Sequence, residues 1–327
     1  MSILSIRDLH VAYHTQAGPV PAVRGVNFDV ERGQVVGLAG ESGCGKSTIA
    51  GAILRLLPKD ATVTGRVLLE DQDVLTMSWG ELRAVRWGEM SIIFQGAMHG
   101  LNPVRRVGEQ IAEAILIHDP KATEKGALRR AGELVEKVKL PARRADDYPH
   151  ELSGGQKQRI MIAMALACDP KLVIADEPTT ALDVMVQAQV LNLLKDLRRD
   201  LGLSMIFITH DLSVLVDICD RISVMYAGKI VEEGDSQDVF KTPRHPYTKA
   251  LGAAFPEIGD RAYRMAPTGL GGDPPDPMDI PPGCSFHPRC PLVFDDCRVT
   301  EPERYPAGQG RTSACLLVPQ GKIEVSL

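Results

Sequence analysis

The sequence predicts an α/β fold built on a parallel sheet, with a helical insertion and a cysteine-bearing C-terminal tail. Three observations lead there. A short apolar run, Gln34 to Ala39, ends in a glycine-rich turn that opens a helix. Strand-like and helix-like segments then alternate as far as Thr209, the pattern of a parallel sheet. Beyond 256 the composition shifts to proline and glycine (GGDPPDPMDIPPG), and four of the seven cysteines follow as Cys284, Cys290, Cys297 and Cys315.

Taken in order, Ile3 to Tyr13 and Val20 to Val30 alternate or run apolar with β-branched residues and read as strands. Gln34 to Ala39 reads as a buried strand, and Thr48 to Leu57 as a helix stopped by Pro58. Val63 to Glu70 and Met90 to Gln95 are further strands. Val107 to Leu140 carries helical apolar spacing and forms an insertion. A helix from about Ser153, a strand Leu172 to Ala175, a helix Ala188 to Leu201 and a strand Met205 to Thr209 complete the alternation.

Composition narrows the function classes. A chain of 327 residues, 44% hydrophobic and 24% charged, is ordinary for a protein that buries a sizeable core. The formal net charge of -5 offers no general attraction to nucleic acid or to an anionic membrane surface, so any phosphate recognition is local. The most apolar stretches, Ile160 to Cys168 and Leu203 to Ile208, fall well short of the ~20 residues of a membrane span. The N-terminus MSILSIRDLHVAY lacks the layout of a signal peptide, so a cytosolic chain without disulfides is expected.

Three motifs carry chemistry. Gly40 to Ser47 reads GESGCGKS, a complete G-x-x-x-x-G-K-[ST], the P-loop. Backbone N–H groups of Gly40, Glu41, Ser42, Gly43, Cys44 and Gly45 wrap phosphates, Lys46 reaches the β/γ oxygens, Ser47 ligates Mg2+ and Thr48 follows in the helix. The pattern arises by chance in roughly one chain in a hundred of this length. KLVIADE then delivers Asp176 to the metal shell and Glu177, as general base, to the attacking water. LSGGQ, Leu152 to Gln156, sets Ser153, Gly154 and Gly155 at a helix start, a second grip for an anion. Two grips in one chain suggest two chains sharing nucleotides.

With these motifs in this order between Tyr13 and His210, the chain is identified as a member of the ABC-type ATPases. That resemblance implies a P-loop NTPase (RecA-like) core with an antiparallel β subdomain and a helical subdomain at about 97–165, together forming an ATPase domain over 1–255. It implies that Tyr13 stacks on adenine, that Gln95 senses Mg2+ and a transmembrane partner, and that His210 is the γ-phosphate switch. Asp183 would communicate across a dimer in which Ser153, Gly154, Gly155 and Gln156 close over the other subunit's ATP. Two departures stand out: Gly96 replaces a common acid after Gln95, and Cys44 replaces a small P-loop residue. Among anion-holding amides, Cys44 is expected to have a lowered thiol pKa and, where solvent can reach it, to be reactive, so that alkylation blocks nucleotide binding and bound Mg-ATP protects it; a small loop residue is the plainer reading.

A narrower resemblance rests on FQGAMHGLNP (Phe94 to Pro103), HPYTKAL (His245 to Leu251) and GCSFHPRCP (Gly283 to Pro291), which look like the ATPases of oligopeptide and dipeptide importers. It implies a second, similar ATPase in a heterodimer, two membrane permeases, an extracytoplasmic binding protein acting indirectly, no nucleic acid, and a peripheral place at the cytoplasmic face of the membrane. Importers of nickel chelates or other small solutes share the motifs; non-transport ABC ATPases generally add duplicated cassettes or DNA-contacting insertions. In the region 256–327, read as a linker and tail, the spacing C-x5-C-x6-C-x17-C lacks the tight pair of a zinc knuckle, so Cys284, Cys290, Cys297 and Cys315 are expected to hold a [4Fe-4S] cluster. Zinc, with His287 as a substitute ligand, is the alternative, disulfides the third choice, and free thiols the plainest reading.

Overall fold

The computed structural model describes residues 1–96, 100–254, 270–308 and 310–323. Of the linker expected over Pro256 to Pro291, the part up to 269 therefore lies outside the described residues. The chain forms two compact bodies: residues 31–34 and 76–206, with Met1, make the first, and residues 2–30, 35–75 and 207 onward the second.

The second body opens with β1 (Ser2–Thr15) and β2 (Gly18–Glu31). With β4 (Thr62–Leu69) and β5 (Gln72–Asp73) they form a four-stranded sheet in the order β2-β1-β4-β5. β1 and β4 run antiparallel, Leu4 facing Leu69, with a bulge between Arg7 and His10. Ile3, Leu4, Ile6 and Leu9 are buried, matching the apolar alternation that announced the strand. This is the antiparallel subdomain that the family resemblance implied.

β3 (Val35–Ala39) is buried at every position, as its unbroken apolar run requires, and delivers the P-loop to α1 (Lys46–Ile53). The helix is shorter than the predicted Thr48 to Leu57: Leu54 caps it and Arg55 turns left-handed at φ 49°. β3 pairs in parallel with β9 (Arg221–Tyr226), and β9 pairs antiparallel with β10 (Lys229–Asp235). Around them lie α7 (Leu212–Ile218), α8 (Ser236–Lys241) and α9 (Pro246–Ala253).

The tail belongs to this body. Two short strands, β11 (Tyr305–Pro306) and β12 (Thr312–Ser313), pair with each other, and β12 pairs antiparallel with β10 through Glu232 opposite Ser313. Its described residues thus extend the sheet that carries the P-loop strand; they do not form a compact unit apart from it.

In the first body, β6 (Met90–Ile93) and β7 (Leu172–Asp176) pair in parallel, Met90 facing Leu172. β6 stops two residues before the predicted Gln95. The insertion resolves into two helices, α3 (Val107–His118) and α4 (Glu124–Lys137), because Asp119 is extended and Thr123 caps a new start. α4 buries Ala127, Ala131, Leu134 and Val135, a helical stripe. α5 (Gly154–Ala165) and α6 (Val184–Leu201) follow; α6 starts before the predicted Ala188 because Asp183 caps it. Sequence reasoning missed α2 (Trp79–Gly88), although Ser78 and Glu81 form a complete capping box ahead of it. β8 (Ser204–Thr209) runs from the first body into the second.

One buried group ties pH to the second body's stability. His245 is wholly buried, its Nδ1 accepts from the Tyr247 N–H at 3.1 Å, and burial pushes its pKa down to about 4 while a hydrogen bond with the Ala314 backbone pulls weakly upward. A folded value below the free value of about 6.5 means that the unfolded chain takes the proton first. The contribution is then complete above pH 6.5 and lost as pH falls towards 4, for a total of about 3 kcal/mol. Urea melts should show this loss in the wild type and a smaller one in His245→Asn, which keeps a capping acceptor but no titrating ring; parallel profiles would refute the assignment.

Candidate active site

The predicted site residues divide between the two bodies, and each set is described within its own. In the second body the P-loop is pressed tightly onto its surroundings. Gly40 and Gly45 have φ of 150° and 105°, where side chains rarely sit. A Cβ on Gly40 would strike the Met225 carbonyl oxygen, and one on Gly45 the Ala22 carbonyl oxygen. The loop is closed further by Gly228 N–H donating to the Cys44 carbonyl at 3.1 Å. Glycine at these two positions lets bare backbone turn its amides towards a ligand.

Lys46 opens α1 and is only 5% exposed; its ammonium donates to the carbonyls of Gly40 and Glu41 at 2.7 and 2.8 Å, and lies 3.7 Å from Cys44 Sγ. Ser47 and Thr48 follow in the first turn, and the half-buried Tyr13 on β1 donates its hydroxyl to Thr48 Oγ1 at 3.2 Å. The aromatic expected to stack on adenine therefore stands beside the first turn of the P-loop helix. His210, at the exposed end of β8, belongs to this body as well.

Cys44 departs from expectation. It is 6% exposed, and burial raises its thiol pKa, with the Lys46 charge pulling the other way as the lesser effect. Desolvation of the thiolate outweighs the amide-rich loop, so Cys44 behaves as a small packed residue.

The first body holds the carboxylates. β7 ends in Asp176, which is buried, and the chain turns at Glu177, which holds a φ of 44°. A non-glycine residue in that region costs about 1–3 kcal/mol, a strain met at functional turns. Its Oε2 accepts from Gln95 Nε2 at 2.9 Å and from Thr180 Oγ1 at 2.8 Å. Gln95 and Glu177, 82 positions apart in the chain, are thereby joined, a contact that sequence reasoning did not foresee. Thr180, which sequence reasoning passed over, is the second hand on the carboxylate; TTALD carries it next to the acid pair.

Ser153, exposed, caps α5 by accepting from the Gln156 N–H, and Gln156 Oε1 accepts in return from the Ser153 N–H at 2.9 Å. Gly155 has no room for a side chain, since a Cβ there would strike Val186 Cγ1 of α6. Asp183 accepts from the Val186 N–H at 3.0 Å as the N-cap of α6, so its visible part in the structure is to fix that helix start.

The four tail cysteines line one small cavity with His287, His245 and Phe286. Cys284 N–H donates to the Cys297 carbonyl at 2.9 Å, and burial with neighbouring thiols lifts Cys284 to about 11 and Cys315 to about 12. Among the described residues no three His, Cys, Asp or Glu are gathered closely enough to hold a metal ion. The convergence of the four thiols is present; a preformed single-ion geometry is not.

The burial of Cys44 yields a prediction opposite to the one its loop suggested. At neutral pH an alkylating reagent should label Cys44 slowly with or without Mg-ATP; rapid labelling that nucleotide suppresses, read by peptide mass spectrometry, would contradict the burial.

Comparison with known proteins gives the same reading over nearly the whole length. The ABC transporter family model matches residues 23–180, and that of the oligopeptide/dipeptide transporter C-terminal region matches residues 231–297. The dipeptide transport ATP-binding protein DppD of Bacillus subtilis is 44% identical over 322 residues, which is 97% of this chain and 95% of that one. The oligopeptide transport ATP-binding protein OppD of Escherichia coli is 42% identical over 317 residues, 96% of this chain and 93% of that one. Among solved structures, the dimeric MJ0796, a bacterial ABC transporter cassette, superposes with a TM-score of 0.65 at 29% identity, covering 71% of this chain and 98% of that one. The chain is therefore a member of the ABC transporter ATP-binding proteins of the oligopeptide and dipeptide transport family.

Proposed function

We propose that this chain hydrolyses ATP to energise a membrane importer of oligopeptides or dipeptides, working at the cytoplasmic face as one half of a two-ATPase sandwich, with a second, similar ATPase as its partner and two permeases as its membrane anchor. The observation that carries the solute class is the match of residues 231–297 to the C-terminal region of oligopeptide and dipeptide transporters, alongside relatives of that name over the whole chain. Among the described residues no helix is long and apolar enough to cross a membrane, so the permeases supply the path.

The roles follow from the chemistry of each group. Lys46 and the loop amides bind the triphosphate, and Tyr13, beside Thr48, takes the adenine. Ser47, Gln95 and Asp176 offer a hydroxyl, an amide oxygen and a carboxylate, the hard donors that suit Mg2+. Held there, Mg2+ would supply positive charge to offset that of the triphosphate. Glu177, steadied by Gln95 and Thr180, accepts the proton of the attacking water, and His210 answers to the γ-phosphate. Ser153, Gly154, Gly155 and Gln156 act on the partner's nucleotide. Ser153 supports this assignment: its hydroxyl oxygen accepts within the capping box, and its O–H remains a donor on an exposed helix start.

For the tail, a [4Fe-4S] cluster on Cys284, Cys290, Cys297 and Cys315 is favoured over Zn2+. All four line one cavity, and their spacing in the sequence lacks the tight pair of a zinc knuckle. A cluster spreads its thiolates around its own iron and sulfide. With the bare thiols raised by burial, binding would have to release protons, and the role is to staple the tail.

Assembled with its permeases and partner ATPase in liposomes, the protein should hydrolyse ATP and drive uptake of short peptides. Glu177→Gln should keep ATP binding and lose about 10²–10⁴ in kcat, the worth of a general base. Wild-type turnover in that variant would remove Glu177 from the role, and uptake of nickel chelate without peptide would replace the solute class. Anaerobically purified protein should contain iron and acid-labile sulfide; stoichiometric zinc without iron would overturn the cluster.

A further inference from the structure

The P-loop contains an element that opposes its own function. Its second residue, Glu41, is a carboxylate in a loop built to hold a polyphosphate, and a bare negative charge there repels the ligand. The structure meets this charge from an unexpected quarter. Arg289, in the 3-10 turn His287–Arg289 of the tail, donates Nη1 to Glu41 Oε2 at 2.7 Å and Nη2 to Glu41 Oε1 at 2.9 Å. The fork is two-handed and well shielded, since the Arg289 side chain is 7% exposed and that of Glu41 23%. The guanidinium is itself held: Nε donates to the Gly271 carbonyl at 2.9 Å, Nη1 reaches the Tyr226 hydroxyl at 3.4 Å, and the group lies 5.9 Å from the centre of the Tyr226 ring. Glu41 is fixed at its backbone too, its N–H donating to Tyr247 Oη at 2.8 Å and its carbonyl accepting from Lys46.

We propose that Arg289 is a positioning residue for nucleotide binding: by neutralising and orienting Glu41 it makes the P-loop a competent anion site, and so places ATP affinity under the control of the cysteine-bearing tail. Arg289 touches neither the reacting atoms nor the loop amides; it acts through Glu41. Because it stands between Cys284 and Cys290, the turn that presents it is the one the cysteines enclose. Lysine cannot replace it, as one ammonium does not match both carboxylate oxygens.

The inference rests on Gly40–Ser47 being the ATP loop, and the two can fail separately. The test is a titration of the purified full chain with a fluorescent ATP analogue, paired with KM and kcat for the assembled transporter. Arg289→Ala should weaken binding about tenfold, the scale of one uncompensated charge near a polyphosphate at an effective dielectric of ~20. The loss should fall on KM with kcat kept, since the repulsion acts equally on bound ground state and transition state. Arg289→Ala with Glu41→Gln should recover most of the affinity, and Glu41→Gln alone should bind at least as tightly as the wild type. Arg304→Ala, which removes another tail ion pair, that with Glu233 at 2.7 Å, should leave KM unchanged.

Unchanged affinity in Arg289→Ala, a double variant as weak as the single one, or Glu41→Gln as weak as Arg289→Ala would each overturn the proposal. The last variant is isosteric and decides the matter even if Arg289→Ala folds poorly. A Lys46→Ala chain that binds the analogue normally would instead sink the assignment of the loop.

Discussion

The second body hangs on one buried carboxylate. Glu232, in the middle of β10, has no exposed surface, and it accepts from the backbone N–H groups of Arg244 and His245 at 2.7 and 2.9 Å and from the guanidinium of Arg311. Such a charge is tolerable only while every partner is present, and removing one costs about 3–5 kcal/mol. Each donor arrives from a different place: the start of α9, the turn before it, and the strand region of the tail. From His245 the chain of bonds continues to Tyr247, and from the Tyr247 hydroxyl to the Glu41 N–H in the P-loop. A tyrosine that reads as part of a family signature is thus a strut between the sheet edge and the phosphate loop. The aromatic packing of Tyr226, Tyr247 and Phe286, with ring centres 4.6 to 5.4 Å apart, surrounds that strut with apolar surface.

The charged groups to which the proposed function gives the chemistry are held by neutral neighbours. Glu177 accepts from an amide and a hydroxyl, and Lys46 donates to two carbonyls, so neutral groups help to fix both charged side chains. The left-handed backbone at Glu177 turns the chain directly after β7, whose last residue, Asp176, stays buried.

Much of this was legible in the sequence because it is local. β3 and β7 are unbroken apolar runs, and the glycines, lysine and acids that follow them occupy fixed offsets that physical chemistry can interpret. The capping role of Ser153 is likewise a matter of three residues; that of Asp183 is as local, yet sequence reasoning passes over it and begins the helix at Ala188. What escaped depends on distant chain. The pKa of Cys44 is set by how deeply the loop is packed, which no neighbour in sequence reveals, and the amide-rich setting pointed the wrong way. The tail looked like an appendage because nothing in its composition announces that Thr312 and Ser313 pair with β10, or that Arg289 returns to a loop 248 positions earlier. α2 escaped for a different reason: its capping box was readable in Ser78 to Glu81, but the helix itself is broken by non-helical angles at Arg86 and Trp87 and shows little apolar rhythm.

The pairing of β12 onto β10 also settles how the sheet ends. An uncovered β10 would present a row of free backbone N–H and C=O groups to any passing strand, the usual starting point of self-association between copies. Here the outermost position is taken by β11, only two residues long and containing Pro306, which has no N–H to offer. The proline-rich tail is therefore a selvedge: it finishes this side of the sheet with a strand too short and too poor in donors to recruit another, and a chain shortened before Tyr305 would carry a raw edge at the middle of β10, around Val231 to Glu233.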